Sequence, residues 1–361
     1  GEAGAGADCD CYDRSSRSQY AVVDAHFHLR PFGGKPVPFA EMMAWQRRAG
    51  ILFTTVYGIG QRLPVDSNCT YYLDCPGTDV TASIKNDFDN AEMLDDYGEE
   101  DLTSTSGPVL TMSMSFLDLH KPQGILPRMK LLQKEYPGMF KWVGEINVVK
   151  QALFNNSNGF PVAIDTIQQW APFMQLLKEN SIPIGFHSDL GSDAEPLKYL
   201  PLMDKILELY PNNKILWLHL GGLSKQLTPL PPTLLQEPLY ASRHAAIIRE
   251  RLEKYPNLRV DLSWDVLYYS CWSDPQKRAI YARLIEDFPT RFIPGTDFVA
   301  AESKTEEDYQ DQLNKTSYIY RDLSDEAFRR IALGQNYFDV LGRSDLAAPA
   351  VCSGGSKGEA E

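Results

Sequence analysis

The stretch Tyr20–Arg30, "YAVVDAHFHLR", opens the first regular segment of the chain and sets the reading of the rest. "YAVVD" is a short apolar, β-rich run, and just past its end stand His26 and His28, one residue apart. A strand points residues i and i+2 to the same face. The two imidazoles therefore project together, about 7 Å apart at their β-carbons. That spacing suits two nitrogen ligands closing on one metal ion. It is an odd filling for an ordinary core, and the chain spends two of its six histidines on it.

Downstream, short β-rich runs alternate with longer amphipathic ones. "ILFTTVYG", "PVLTMSMSFLD", "MFKWVGEIN", "IPIGFHSD", "NKILWLHLGG", "NLRVDLSWD" and "RFIPGTDF" read as strands two to eight, each separated from the next by a helical pattern such as "IDTIQQWAPFMQLLKEN" or "SRHAAIIRERLEKYP". Eight strand–helix units predict a (β/α)8 TIM barrel of the α/β class, closed by extra C-terminal helices. A doubly wound open sheet would need a Gly-rich phosphate turn after the first strand, and there is none. The polar tract 58–107 after strand two reads as a long insertion, the kind of segment that forms a lid or wall. The expected organisation is an N-terminal arm (1–19), the barrel (20–343) and a flexible tail (344–361).

Of 361 residues, 43% are hydrophobic and 23% charged, which is the balance of a globular enzyme. A net charge of −13 argues against nucleic acid as a partner, and no apolar run is long enough for a membrane span. The expected partner is a small-molecule substrate, with a homodimer as the default assembly. Cys9, Cys11, Cys69 and Cys75 lie in surface-like segments and would form two disulfides of open pairing in an oxidising compartment. They point to a periplasmic or secreted chain, with free thiols in the cytoplasm as the alternative.

Active sites of such barrels lie at the C-terminal strand ends. Glu145 ends strand four, His187 strand five, His219 strand six, Asp261 and Asp265 strand seven, and Asp297 strand eight. Neutral imidazoles with carboxylates suit Zn2+, with Mn2+, Fe2+ or Ni2+ as alternatives. Such an ion lowers the pKa of water towards ~7 and polarises a carbonyl. Arg30 would clamp a substrate carboxylate, Trp264 and Tyr57 would stack on a ring, and His120 would reach in from the loop after strand three. His244 reads as an exposed helix residue. No serine nucleophile elbow is present.

"DAHFH", "FHSD", "LHLGG" and "GTD" at these strand ends resemble the amidohydrolase superfamily. More closely they resemble its amidohydrolase-related branch of metal-dependent lactonases, hydrolases and nonoxidative decarboxylases. "IALGQNYFDVLG" is similar to the closing helix of that branch, so the resemblance spans about residues 20–343 outside the insertion. It implies that His26, His28, His187 and Asp297 bind a divalent metal, and that His219 binds a second ion or acts beside the first. Asp297 would also take a proton from water. Glu145 stands where many relatives carry a carboxylated lysine and others a glutamate, so one or two ions per chain are expected. Lys150, five residues beyond Glu145, reads as too distant to take that lysine's place. The implied activity is metal-dependent hydrolysis of an ester, lactone or amide. Decarboxylation of an aromatic or unsaturated acid is the alternative, and a noncatalytic metal-binding protein the third reading.

Overall fold

The apolar runs become parallel strands in the computed structural model, which describes residues 10–15, 19–103, 107–192, 194–222 and 240–353. Cys9, most of the expected arm and the last eight residues lie outside them. The strands are β1 (Val23–His28), β2 (Phe53–Tyr57), β3 (Val109–Met114), β4 (Phe140–Val149), β5 (Ile184–Ser188), β6 (Ile215–Trp217), β7 (Leu258–Asp261), β8 (Phe292–Ile293) and β9 (Phe298–Val299). They pair in the order β8-β7-β6-β5-β4-β3-β2-β1-β9.

The nine are eight barrel strands, because β8 and β9 are two halves of one. The chain breaks its ladder at Pro294–Asp297, and while β8 pairs with β7, the continuation pairs with β1. Ala25 N donates to Pro294 O at 3.1 Å and Asp297 N to His26 O at 2.7 Å, which closes the cylinder. Strands buried on both faces read as continuous apolar runs, and Phe27, Trp142, Phe186, Trp217 and Val260 are fully buried. The surrounding helices lay apolar stripes on them: Phe39–Arg48 buries Met42 and Trp45, and Leu200–Leu209 buries Met203, Ile206 and Leu207. Each such side chain contributes about 1.5–3 kcal/mol of burial.

Three sequence expectations need correction. The tract 58–107 is not all insertion, because Ile84–Thr103 is the barrel helix that leads into β3. Its acidic, alanine-poor composition hides an apolar stripe that buries Ala91 and Leu94. Only the part before it is extra, and this folds over the barrel mouth on a small cluster of Phe32, Ile59, Leu63, Tyr72, Val80 and Leu153. Residues 344–353, expected to fray, are pinned. Cys11 is disulfide-bonded to Cys352, and Tyr12 N donates to Ala350 O at 2.7 Å. His244 is buried rather than exposed and meets the Tyr281 hydroxyl at 2.8 Å. Burial lowers its imidazole to about 4. Among the described residues no helix is long and apolar enough to cross a membrane.

Candidate metal centre

The β-period places the side chains of β1 as the sequence suggests. His26 and His28 point to the barrel axis at its C-terminal mouth, with Nε2 atoms 3.3 Å apart. Their other nitrogens decide what those Nε2 atoms are. His28 Nδ1 lies 2.8 Å from Gly58 O, an acceptor only, so Nδ1 carries the proton. His26 Nδ1 lies 3.0 Å from Asp261 Oδ2 and likewise donates. Both Nε2 atoms therefore present lone pairs, and both lie 3.1 Å from Asp297 Oδ1. Three electron-pair donors thus face one point. Only a shared proton or a cation relieves that arrangement.

A second set adjoins the first. His219 Nδ1 lies 3.0 Å from the Ser263 hydroxyl and 3.3 Å from Ser263 O, and its Nε2 meets Glu145 Oε2 at 2.6 Å. Glu145 Oε2 is also 3.7 Å from His26 Nε2, which joins the two sets. Ligand atoms of His26, Glu145, His219 and Asp297 all lie within 4.8 Å of one another, a group able to hold a metal ion. His187 stands at its edge, with Nδ1 3.2 Å from Glu145 Oε2 and Nε2 3.1 Å from Asp189 Oδ1.

The electrostatics follow from these contacts. Burial pulls His26 down, but the carboxylates of Asp297 and Asp261 outweigh it and hold the imidazole well above its usual range. Burial likewise opposes a charge on His187, which Asp189 and Glu145 nevertheless carry up to about 9. Against the same burial, His26 and His28 hold Asp297 far below the ordinary carboxylate range. A site that pulls positive charge so strongly onto its imidazoles offers a divalent ion the same attraction.

Backbone strain aims several of these groups. His219 (φ 59), Trp264 (φ 88) and Asp297 (φ 60) are non-glycine residues in the left-handed half of φ space. Such conformations persist where the surroundings over-determine them. Asp261 provides part of that restraint, its Oδ1 accepting from His219 N at 3.0 Å and Ser263 N at 2.9 Å. Asp261→Asn is expected to weaken metal affinity by about 10–100-fold, as read by competition with a chelator. The amide would set the His26 tautomer wrongly.

A cavity of about 380 Å3 opens above the group, lined by His28, Glu145, His187, His219, Trp264 and Asp297 among others. Its opposite wall comes from the segment before the barrel helix. Cys69 and Cys75 are disulfide-bonded, and the loop they bracket presents Tyr71 and Tyr72 to the cavity. Phe32, Tyr71 and Tyr72 form one aromatic cluster, with ring centroids 4.7–5.8 Å apart. Lys150 lies over the Tyr72 ring at 5.3 Å and reaches Glu145 Oε1 at 3.4 Å.

Of the four residues expected to contact substrate, the structure brings only Trp264 to this cavity. Arg30 is turned away, its Nε donating to Asn90 Oδ1 at 2.9 Å. His120 lines a separate cavity and rests 4.3 Å from the Phe160 ring. Tyr57 is buried beneath the site, 4.3 Å from the His26 ring, and accepts a hydrogen bond from Trp142 Nε1 at 2.9 Å. The sequence reading missed the roles of Lys150, Asp189, Ser263, Tyr71 and Tyr72. Asp189 and Ser263 could have been found by the same i+2 rule that found His28, since they follow His187 and Asp261 at that spacing.

A family model described as amidohydrolase matches residues 153–334, just over half of the chain. Among solved structures, an apo protein of Agrobacterium tumefaciens is 14% identical, with 92% of this chain and 98% of that one covered at a TM-score of 0.53. An uncharacterised TIM-barrel protein of Bordetella bronchiseptica is 14% identical, with 90% and 100% covered at a TM-score of 0.50. Both likenesses are of fold. A 2,6-dihydroxybenzoate decarboxylase of Rhizobium is 12% identical, with 90% and 98% covered at a TM-score of 0.47. No curated protein matches the chain.

Proposed function

This chain belongs to the amidohydrolase family, and we propose that it is a metal-dependent hydrolase acting on an ester, lactone or amide carbonyl of a small organic substrate. The observation that carries this reading is the meeting of His26 Nε2, His28 Nε2 and Asp297 Oδ1 within 3.3 Å of one another at the mouth of the barrel. His26, His28 and Asp297 would hold the ion, with Glu145 and His219 beside them and His187 fixed against Glu145. The donor set is nitrogen and carboxylate oxygen without thiolate, which fits Zn2+ and also Mn2+, Fe2+ or Ni2+. When bound, the ion supplies Lewis acidity and makes water a nucleophile near neutral pH.

The chain's own residues do the rest. The Asp297 side chain is 16% exposed, while those of His26, His28, Glu145 and His219 are at most 2% exposed. Asp297 is therefore the group placed to take a proton from the attacking water and return it to the leaving group. Trp264 and the Phe32–Tyr71–Tyr72 cluster would hold a flat substrate between them and exclude bulk water. Serine replacement of both Cys69 and Cys75 is expected to raise KM about tenfold with a smaller change in kcat, the loss of roughly one ring contact. Steady-state kinetics on the double variant reads that split.

The aromatic wall with Lys150 and Lys304 on the same cavity favours one second reading, decarboxylation of a flat carboxylic acid. Metal-loaded protein offered lactones, esters and amides in a pH-stat, and aromatic acids with carbon dioxide detection, separates the two. Acid release from a carbonyl substrate supports the hydrolase, and carbon dioxide alone overturns it. The Cys11–Cys352 and Cys69–Cys75 disulfides support a periplasmic or secreted location.

A further inference from the structure

A separate cavity of about 200 Å3 lies beyond Pro31 and Phe32, two residues that line both it and the catalytic cavity. Arg30 and Arg62 line it together. Arg30 meets only neutral acceptors by hydrogen bond, Asn90 Oδ1 at 2.9 Å and the Asp89 carbonyl at 3.3 Å. The carboxylate of Asp89, the one acid on this lining, is taken by Lys85 Nζ at 2.7 and 2.8 Å. The Arg62 guanidinium has no hydrogen-bond or ion-pair partner among the described residues. Burial lowers Arg30, and the like charge of Arg62 adds to this against the pull of Asp89. Two guanidinium groups thus share a partly enclosed space whose one carboxylate, Asp89, is already paired with Lys85.

The same wall carries Gly33 and Gly34. A β-carbon at Gly33 would collide with the Cys69 carbonyl, and Gly34 adopts φ +80, so the turn requires glycine at both positions. Neither amide N–H donates to any atom among the described residues. Consecutive free amides in such a turn form an anion-binding concavity, and a guanidinium fork matches the oxygens of phosphate or carboxylate. The chain as a whole carries −13, whereas this lining holds two guanidinium groups and one carboxylate.

We propose that this cavity is a binding site for a small oxyanion of the phosphate or carboxylate type, distinct from the metal centre and sharing Phe32 as a wall with it. Calorimetric titration of the full-length, metal-loaded protein with inorganic phosphate, at constant ionic strength set by chloride, tests it. Saturable binding is expected, weakened about tenfold or more in Arg62→Gln and less in Arg62→Lys, which keeps the charge but loses the fork. Arg62 is only partly buried and holds no side-chain partner among the described residues, so both variants should fold. Binding that is unchanged in Arg62→Gln places the anion at the metal centre and overturns the proposal. So does the absence of saturable binding to the wild-type chain.

Discussion

Replacing Asp297 with asparagine is expected to lower kcat by about 10²–10⁴-fold, the usual worth of a positioned proton acceptor. Asparagine keeps an oxygen where Oδ1 now lies 3.1 Å from both His26 Nε2 and His28 Nε2. It cannot take a proton. The variant should therefore retain a substantial part of its metal while losing turnover, and measuring kcat with metal content on the same preparation reads both. Equal loss of metal and activity would reduce Asp297 to a ligand. Full activity would remove it from the chemistry altogether.

The second large effect is on stability. Glu145→Ala leaves the Lys150 ammonium buried, with the carboxylate at 3.4 Å gone. Removing one partner of a buried pair costs about 3–5 kcal/mol, to be read from urea unfolding. Lys150→Met in the same chain should return part of that loss, because the uncompensated charge goes with it. The pH dependence has a definite sign. Burial pushes the Glu145 carboxyl up, but Lys150, His187 and His219 outweigh it and hold the group well below its ordinary range. A depressed carboxyl stabilises the fold above the unfolded value of about 4.3, and that contribution is lost as pH falls below it. The difference between wild type and Glu145→Ala should therefore shrink in acid.

Local periodicity made the barrel and its rim readable. Alternating apolar runs and helical patterns placed eight strands, and asking which polar residues end those strands assembled His26, His28, Glu145, His187, His219 and Asp297. What stayed hidden depends on contacts between distant segments. Lys150 read as too far along a loop, five residues beyond Glu145, to take a carboxylated lysine's place, whereas β4 runs on to Val149 and the lysine ammonium reaches Glu145 Oε1 at 3.4 Å. Arg30 stands two residues after His28 in sequence, yet its guanidinium donates to Asn90 and Asp89 on the helix Ile84–Thr103, which read as part of an insertion. Pairing of Cys11 with Cys352 joins the two ends of the chain across 341 residues, and no local pattern encodes it. Tyr71 and Tyr72 read as polar-loop residues until the Cys69–Cys75 link bends their segment over the barrel mouth.

The account stands or falls on a cation at the meeting point of His26, His28 and Asp297. Elemental analysis of the purified wild-type chain and of a His26→Ala/His28→Ala variant, each after incubation with Zn2+ and removal of excess, tests this most directly. About one or two tightly held ions per wild-type chain are expected, with the variant losing at least one of them. A wild-type chain that retains no divalent ion, whichever metal is supplied, would contradict it.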